Sequence, residues 1–145
     1  MSLLKNLLAV SMIAFLSGCA SGVAFTDMNP SAQPVDPEQG RIYFYRPSVL
    51  GAAVKPKIKL NNVEIAVSTA RGFTFVDRSA GDYVVETSTE VDRRLSFVLQ
   101  AGETRYVRQS INMGFLVGHV YPELVEAAEA LEDLKCCKWV EPLAP

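Results

Sequence analysis

Between Arg41 and Val120 the chain is a succession of short runs rich in aliphatic, β-branched and aromatic residues, most of them closed by Gly, Asn, Asp or Pro. Runs of this length, with no helical pattern between them, predict short strands joined by turns. Residues 41–46 read Arg-Ile-Tyr-Phe-Tyr-Arg and stop at Pro47, and a loop containing Gly51 follows over 49–56. Lys57–Leu60 and Val63–Val67 flank Asn61-Asn62; Asn tolerates positive φ, so this reads as a two-residue hairpin turn. Further strands are predicted over 72–76, 83–87, 95–99, 104–111 and 115–120, with turns at Ser79-Ala80-Gly81 and Gln100-Ala101-Gly102-Glu103. Seven or eight such strands, without alternating helices, predict a mainly β domain over 41–140, built as an antiparallel β-sandwich.

One helix is expected after the strands. Pro122 suits a first helical position, and Glu123, Glu126 and Glu129 favour the positive end of the helix. Leu124, Ala127, Ala128, Leu131 and Leu134 form a stripe that should pack on the sandwich. Trp139-Val140 would then cover a sheet edge.

The N-terminus carries an address. Lys5 is the only charge in residues 1–18, an apolar stretch runs over 7–16, and Leu16-Ser17-Gly18 leads into Cys19. Ten apolar-rich residues are too few to span a hydrocarbon core, which needs roughly 20, so the segment reads as a secretory signal. Its Leu-Ser-Gly-Cys end resembles a bacterial lipobox, with cleavage between Gly18 and Cys19 and a covalent diacylglycerol and N-acyl chain, such as palmitate, on Cys19. Each buried methylene contributes about 0.8 kcal/mol, and two or more chains anchor stably. Ala20, where an Asp in proteobacterial lipoproteins favours the inner membrane, points to the outer membrane facing the periplasm in a diderm host.

Cleavage would leave 127 residues with 13 basic and 16 acidic side chains, a net charge of about −3. That balance argues against a nucleic-acid partner, which calls for a basic patch. Residues 19–40 hold Pro30, Pro34 and Pro37 and few apolar side chains, so they read as a lipidated start and flexible linker. As a coil, such a tether would hold the domain about 25 Å from the membrane, although Phe25-Thr26-Asp27-Met28 offers a segment able to dock.

The strand region resembles a known family. The opening Gly40-Arg41-Ile42-Tyr43-Phe44-Tyr45-Arg46-Pro47-Ser48, the hairpin at Asn61-Asn62, Gly72-Phe73-Thr74-Phe75-Val76-Asp77, Ala80-Gly81-Asp82-Tyr83 and Ala101-Gly102-Glu103-Thr104-Arg105-Tyr106-Val107 carry the pattern. It is similar to small bacterial lipoproteins catalogued as domain of unknown function 2846, over roughly residues 40–138. The resemblance implies a sandwich like transthyretin-like or carboxypeptidase-regulatory-like modules, and it brings no activity, cofactor or catalytic residue. Ala80-Gly81 departs from the Pro-Gly of many relatives, yet keeps the glycine that the turn needs.

Catalytic patterns are sparse. The sequence holds no Gly-x-Ser-x-Gly elbow, no His-Glu-x-x-His and no phosphate-binding glycine loop. His119 is the only histidine, which disfavours a metal site, and a lone His in an apolar strand is more often structural. Cys136 and Cys137 are adjacent; their Cα atoms, about 3.8 Å apart, are closer than the usual disulfide range of about 4.4–6.8 Å. A strained vicinal bridge, a bridge to a partner, and two thiols held against the core are the alternatives, and unpaired thiols fit best. Asp77, Asp82, Glu86, Glu90 and Asp92, set among Arg78, Arg93 and Arg94, read as solvated cross-strand pairs rather than a calcium or sugar site.

Arg41, Tyr43, Tyr45 and Arg46 are the most suggestive group. Tyr43 and Tyr45 fall on the strand face opposite Ile42 and Phe44. Either the second sheet and the helix bury both faces, or the phenols and arginines form a binding face for an envelope protein, peptide or glycan. The expected protein is a lipid-anchored binding or structural module of the cell envelope, without catalysis. The alternatives are an envelope hydrolase or thiol-redox protein using His119 with Cys136 or Cys137, and a subunit of an envelope assembly.

Overall fold

The computed structural model describes residues 18–30, 33–88, 92–113 and 118–144. Its elements run α1 (Phe25–Met28), β1 (Gln39–Arg46), β2 (Lys57–Leu60), β3 (Val63–Val67), β4 (Gly72–Ser79), β5 (Gly81–Ser88), β6 (Asp92–Leu99), β7 (Thr104–Met113), β8 (Gly118–Val125), α2 (Ala127–Leu134) and β9 (Lys138–Trp139). Two sheets form, in the orders β8-β7-β1-β4-β9 and β3-β2-β5-β6. The four-stranded sheet is antiparallel.

The five-stranded sheet is mixed, which corrects the all-antiparallel expectation. β1 pairs antiparallel with β4 but parallel with β7, and β9 runs parallel to β4. Short apolar runs fix strand spacing and not strand direction, so direction was open until the chain path was known. Of the strand predicted over 115–120, residues 115–117 lie outside the described residues, and 118–120 begin β8.

Alternation along β1 divides the domain into two cores. Ile42 and Phe44 face the second sheet, where they join Ile58, Leu60, Ile65, Val85, Phe97 and Leu99. Tyr43 and Tyr45 face the other way and pack with Phe73, Tyr106, Ala130, Leu134 and Cys137. The five-stranded sheet is therefore buried on both faces, by the second sheet and by the helical elements.

Asn61 and Asn62 both adopt positive φ, 47° and 67°, so the two-residue hairpin forms as expected. The helix does not start at Pro122. That proline belongs to β8, an edge strand, opposite Gln109, and a residue without an N–H is tolerated on an edge. α2 starts at Ala127 and buries Ala130 and Leu134, whereas Ala127, Ala128 and Leu131 are exposed. β9 covers the β4 edge through Trp139.

Part of the tether expected over 19–40 is bound to the domain. Ala20 N–H donates to Ala70 C=O at 2.9 Å, Trp139 N–H to Val23 C=O at 2.7 Å and Phe25 N–H to Cys137 C=O at 2.9 Å. Phe25 then sets its ring edge-on to Phe73, with centroids 5.2 Å apart. The physical reason is twofold: the outer aromatic face needs a cover, and the backbone near β9 needs partners. Gly22 makes the fit possible, because a Cβ there would lie 2.2 Å from Trp139 O.

Candidate functional site

The four residues expected to form a binding face are all inside: Arg41 is 4 % exposed, Tyr43 2 %, Tyr45 1 % and Arg46 1 %. The tyrosines lie beneath α1 and α2, and Tyr43 stacks on Tyr106 with ring centroids 5.2 Å apart. Tyr45 O–H donates to Asp133 at 3.3 Å, and burial, reinforced by that carboxylate, pushes its pKa well above the ordinary phenol value. An open aromatic surface does not exist here, because the helical cover closes it.

The arginines hold the covers and loops in place. Arg41 grips Asp77 with two bonds, Nε–Oδ1 at 2.7 Å and Nη2–Oδ2 at 2.8 Å, across the β1–β4 pair. Its Nη1 donates to Pro30 C=O at 2.8 Å, which fastens the N-terminal strap, and its guanidinium lies 4.2 Å from the Phe75 ring centre. Arg46 closes the end of the inter-sheet core. It donates to the carbonyls of Val54 at 2.7 Å, Leu50 at 2.7 Å and Gly51 at 2.8 Å. Burial pulls its pKa below the ordinary arginine value.

The loop so fastened, Val49-Leu50-Gly51-Ala52-Ala53-Val54, stands beside Cys19. Gly18 is packed so closely that a Cβ there would sit 3.0 Å from Ala52 Cβ, and Cys19 forms a bridge with Ala70. Cys19 is exposed, as are Val49 at 51 % and Leu50 at 47 %. The sequence marks Cys19 and a loop over 49–56, but not that the two lie side by side. Six consecutive apolar residues between Pro47-Ser48 and Lys55-Pro56 were the available signal, since such a run in a loop is unusual without a function.

Beneath Arg46 lies a small cavity of about 10 Å³. Its lining includes Arg46, Ser68, Thr74 and Gln109, and each of these has a buried polar atom without a protein partner: Nε, Oγ, Oγ1 and Nε2. The space suits one water and is too small for an organic ligand.

A second polar group, also missed, sits on the outer face. Arg108 binds Glu123 at 2.6 Å, Glu129 at 2.6 Å and Asp133 at 3.0 Å, tying β7 to β8 and to α2. Burial alone pushes Glu123 up, but bonds from Ser110 and Arg108 outweigh it and hold the carboxyl below its ordinary range. A cleft of about 390 Å³ adjoins this group, between Pro47, Ser48 and Leu50 on one side and Ser110, Tyr121 and Glu123 on the other.

The proposed thiol–imidazole partners are apart. Cys137 packs with Tyr45 and Phe73, on β1 and β4, and Cys136 Sγ lies 3.7 Å from Pro47 O. His119 lies in β8, beyond β7. In the sheet order β7 lies between β8 and β1, so the strand that carries His119 is two inter-strand spacings, about 10 Å, from β1. The two sulfurs are 4.0 Å apart and unbonded, and burial raises the Cys137 thiol well above its ordinary value.

The scattered carboxylates find separate arginines: Asp77 binds Arg41 and Glu86 binds Arg94. Glu90 is outside the described residues. Among the described residues, no group of three His, Cys, Asp or Glu could hold a metal ion, and no helix is long and apolar enough to cross a membrane.

Residues 36–120 match the family model DUF2846, described as a protein of unknown function. The chain is also 26 % identical over 125 residues to an uncharacterized protein of Haemophilus influenzae, a match covering 83 % of this chain and 74 % of that protein. No solved structure matches it.

Proposed function

We propose that this chain, which belongs to the DUF2846 family of proteins of unknown function, is a lipid-anchored module of the bacterial cell envelope that binds or supports other envelope components without catalysis. One observation carries the reading: Cys19, the lipidation residue of the Leu-Ser-Gly-Cys motif, is exposed at the end of the domain and tied to it through Ala20 and Ala70. A modifiable thiol at the start of the mature chain suits acyl transfer, and the apolar segment before it suits export. Ala20 favours the outer membrane, facing the periplasm. The finer fold kinship, with transthyretin-like or carboxypeptidase-regulatory-like sandwiches, is part of the same proposal; two sheets facing one another across a shared apolar core support it.

The non-catalytic part rests on the separation of His119 from Cys136 and Cys137, and on a Cys137 thiol held protonated by burial. Membrane lipid is the first partner under this reading, and an envelope protein or glycan the second. Labelling growing cells with an alkyne fatty acid tests it. The wild-type protein should incorporate label, and Cys19→Ser should accumulate as unlabelled precursor. Equal labelling of both would sink the assignment. Crosslinking in intact envelopes would then identify the second partner.

A further inference from the structure

We propose that the loop Val49-Leu50-Gly51-Ala52-Ala53-Val54 seats on the surface of the phospholipid bilayer that anchors Cys19, so that the domain rests on the membrane by one fixed end. The inference builds on the lipid-anchor reading and adds what that reading does not contain, an orientation and a contact surface.

Strand directions place the loop. β1 and β7 run toward the end that holds Arg46, Gly72 and Gly118, and Cys19 joins the same end at Ala70. The Asn61-Asn62 turn lies at the other end, because β2 runs away from Pro56 and Lys57. Cys19 directly follows Gly18, on which a Cβ would lie 3.0 Å from Ala52 Cβ. Acyl chains on Cys19 would therefore leave the domain beside this loop.

The chemistry of the loop fits lipid. Val49, Leu50 and Ala53 are exposed, and the loop contains no polar side chain. Much of its backbone is already satisfied from within: Arg46 takes the carbonyls of Leu50, Gly51 and Val54, Ser48 Oγ accepts from Leu50 N–H at 3.0 Å, and Val54 N–H donates to Gly51 C=O at 2.9 Å. Unpaired backbone groups are what excludes loops from an apolar phase, so a loop paired this way enters the headgroup–acyl boundary at low cost. Exposed Lys55 and Arg71 stand next to the loop and next to Ala70, where cations meet phosphate headgroups. The opposite tip, by contrast, ends in two asparagines.

Full-length, acylated protein carrying Leu50→Trp or Val63→Trp, reconstituted in phosphatidylethanolamine–phosphatidylglycerol vesicles with brominated acyl chains, tests this. Bromine quenches only nearby tryptophan, and Trp139 gives the same background in both variants. A side chain seated at the acyl boundary should be quenched roughly threefold more at position 50 than at 63. Val49→Trp should repeat the result if Leu50→Trp is poorly folded. Equal quenching at both positions, with acyl chains confirmed on Cys19 by mass, overturns the seating and leaves the anchor standing. A protein without acyl chains that fails to float with vesicles overturns both. Emission at position 50 that follows protein concentration and ignores bromination assigns the loop to a second copy of the chain, and also overturns the proposal.

Discussion

The Arg46 guanidinium, buried at the end of the inter-sheet core, donates to the carbonyl of Leu50 across 2.7 Å, so an exposed apolar loop is fastened from inside the domain. The arginine therefore links core packing to the surface beside Cys19.

Arg46→Met should free that loop and leave the carbonyls of Leu50 and Val54 to find water, while Gly51 C=O keeps its bond from Val54 N–H. Charge-assisted bonds of this kind contribute about 1.5–3 kcal/mol each when lost unreplaced, and rehydration of an exposed loop offsets part. A net loss of about 2–4 kcal/mol is expected in denaturant unfolding, with faster amide exchange confined first to residues 50–54. Unchanged stability would show that the arginine is a passenger.

The strap over the aromatic face depends on a close approach. Gly22→Ala would bring a Cβ to 2.2 Å from Trp139 O, and Phe25→Ala would remove the ring that meets Phe73. Each should cost about 1–3 kcal/mol. Protease sites before residue 30 should open in either variant while the sheets keep their protection.

Acid should weaken the Arg108 cluster. Glu123 is held below its ordinary value of 4.5 in the folded protein by Ser110 and Arg108 acting against burial. Its stabilising contribution is then complete above the unfolded value and disappears as pH falls through the lower folded one. The wild type should lose more thermal stability than Glu123→Gln between pH 6 and pH 3. Parallel losses would place the acid-sensitive group elsewhere.

Thiol reactivity separates the two neighbouring cysteines. Cys136 is exposed and Cys137 is buried with its pKa pushed up, so an alkylating reagent at neutral pH should modify Cys136 and spare Cys137. Rapid modification of both would revive a redox role for the pair.

Much of this fold was legible in the sequence because alternation within single strands is a local signal. Ile42 and Phe44 against Tyr43 and Tyr45 already marked two faces, and Asn61-Asn62 named its turn. The parallel pairing of β1 with β7 is a relation between distant segments and leaves no mark in either. Pro122 misled because the same residue suits a helix start and an edge strand, and only the sheet order decides between them. Cys19 stands out in the sequence because the Leu-Ser-Gly-Cys motif marks it. The roles of Arg41 and Arg46 do not, since a charged residue beside tyrosines looks the same in sequence whether it faces solvent or carbonyl oxygens. Phe25 and Met28 dock as the sequence suggests, but the bonds of Ala20 and Val23 to Ala70 and Trp139 left no mark, because those partners come from remote parts of the chain.

The lipid anchor is the central claim, and the mass of the N-terminal peptide tests it most directly. Protein purified from bacterial membranes should begin at Cys19 and carry diacylglycerol and N-acyl mass on that residue. A mature chain that begins elsewhere, or a Cys19 with an unmodified thiol, would contradict the account.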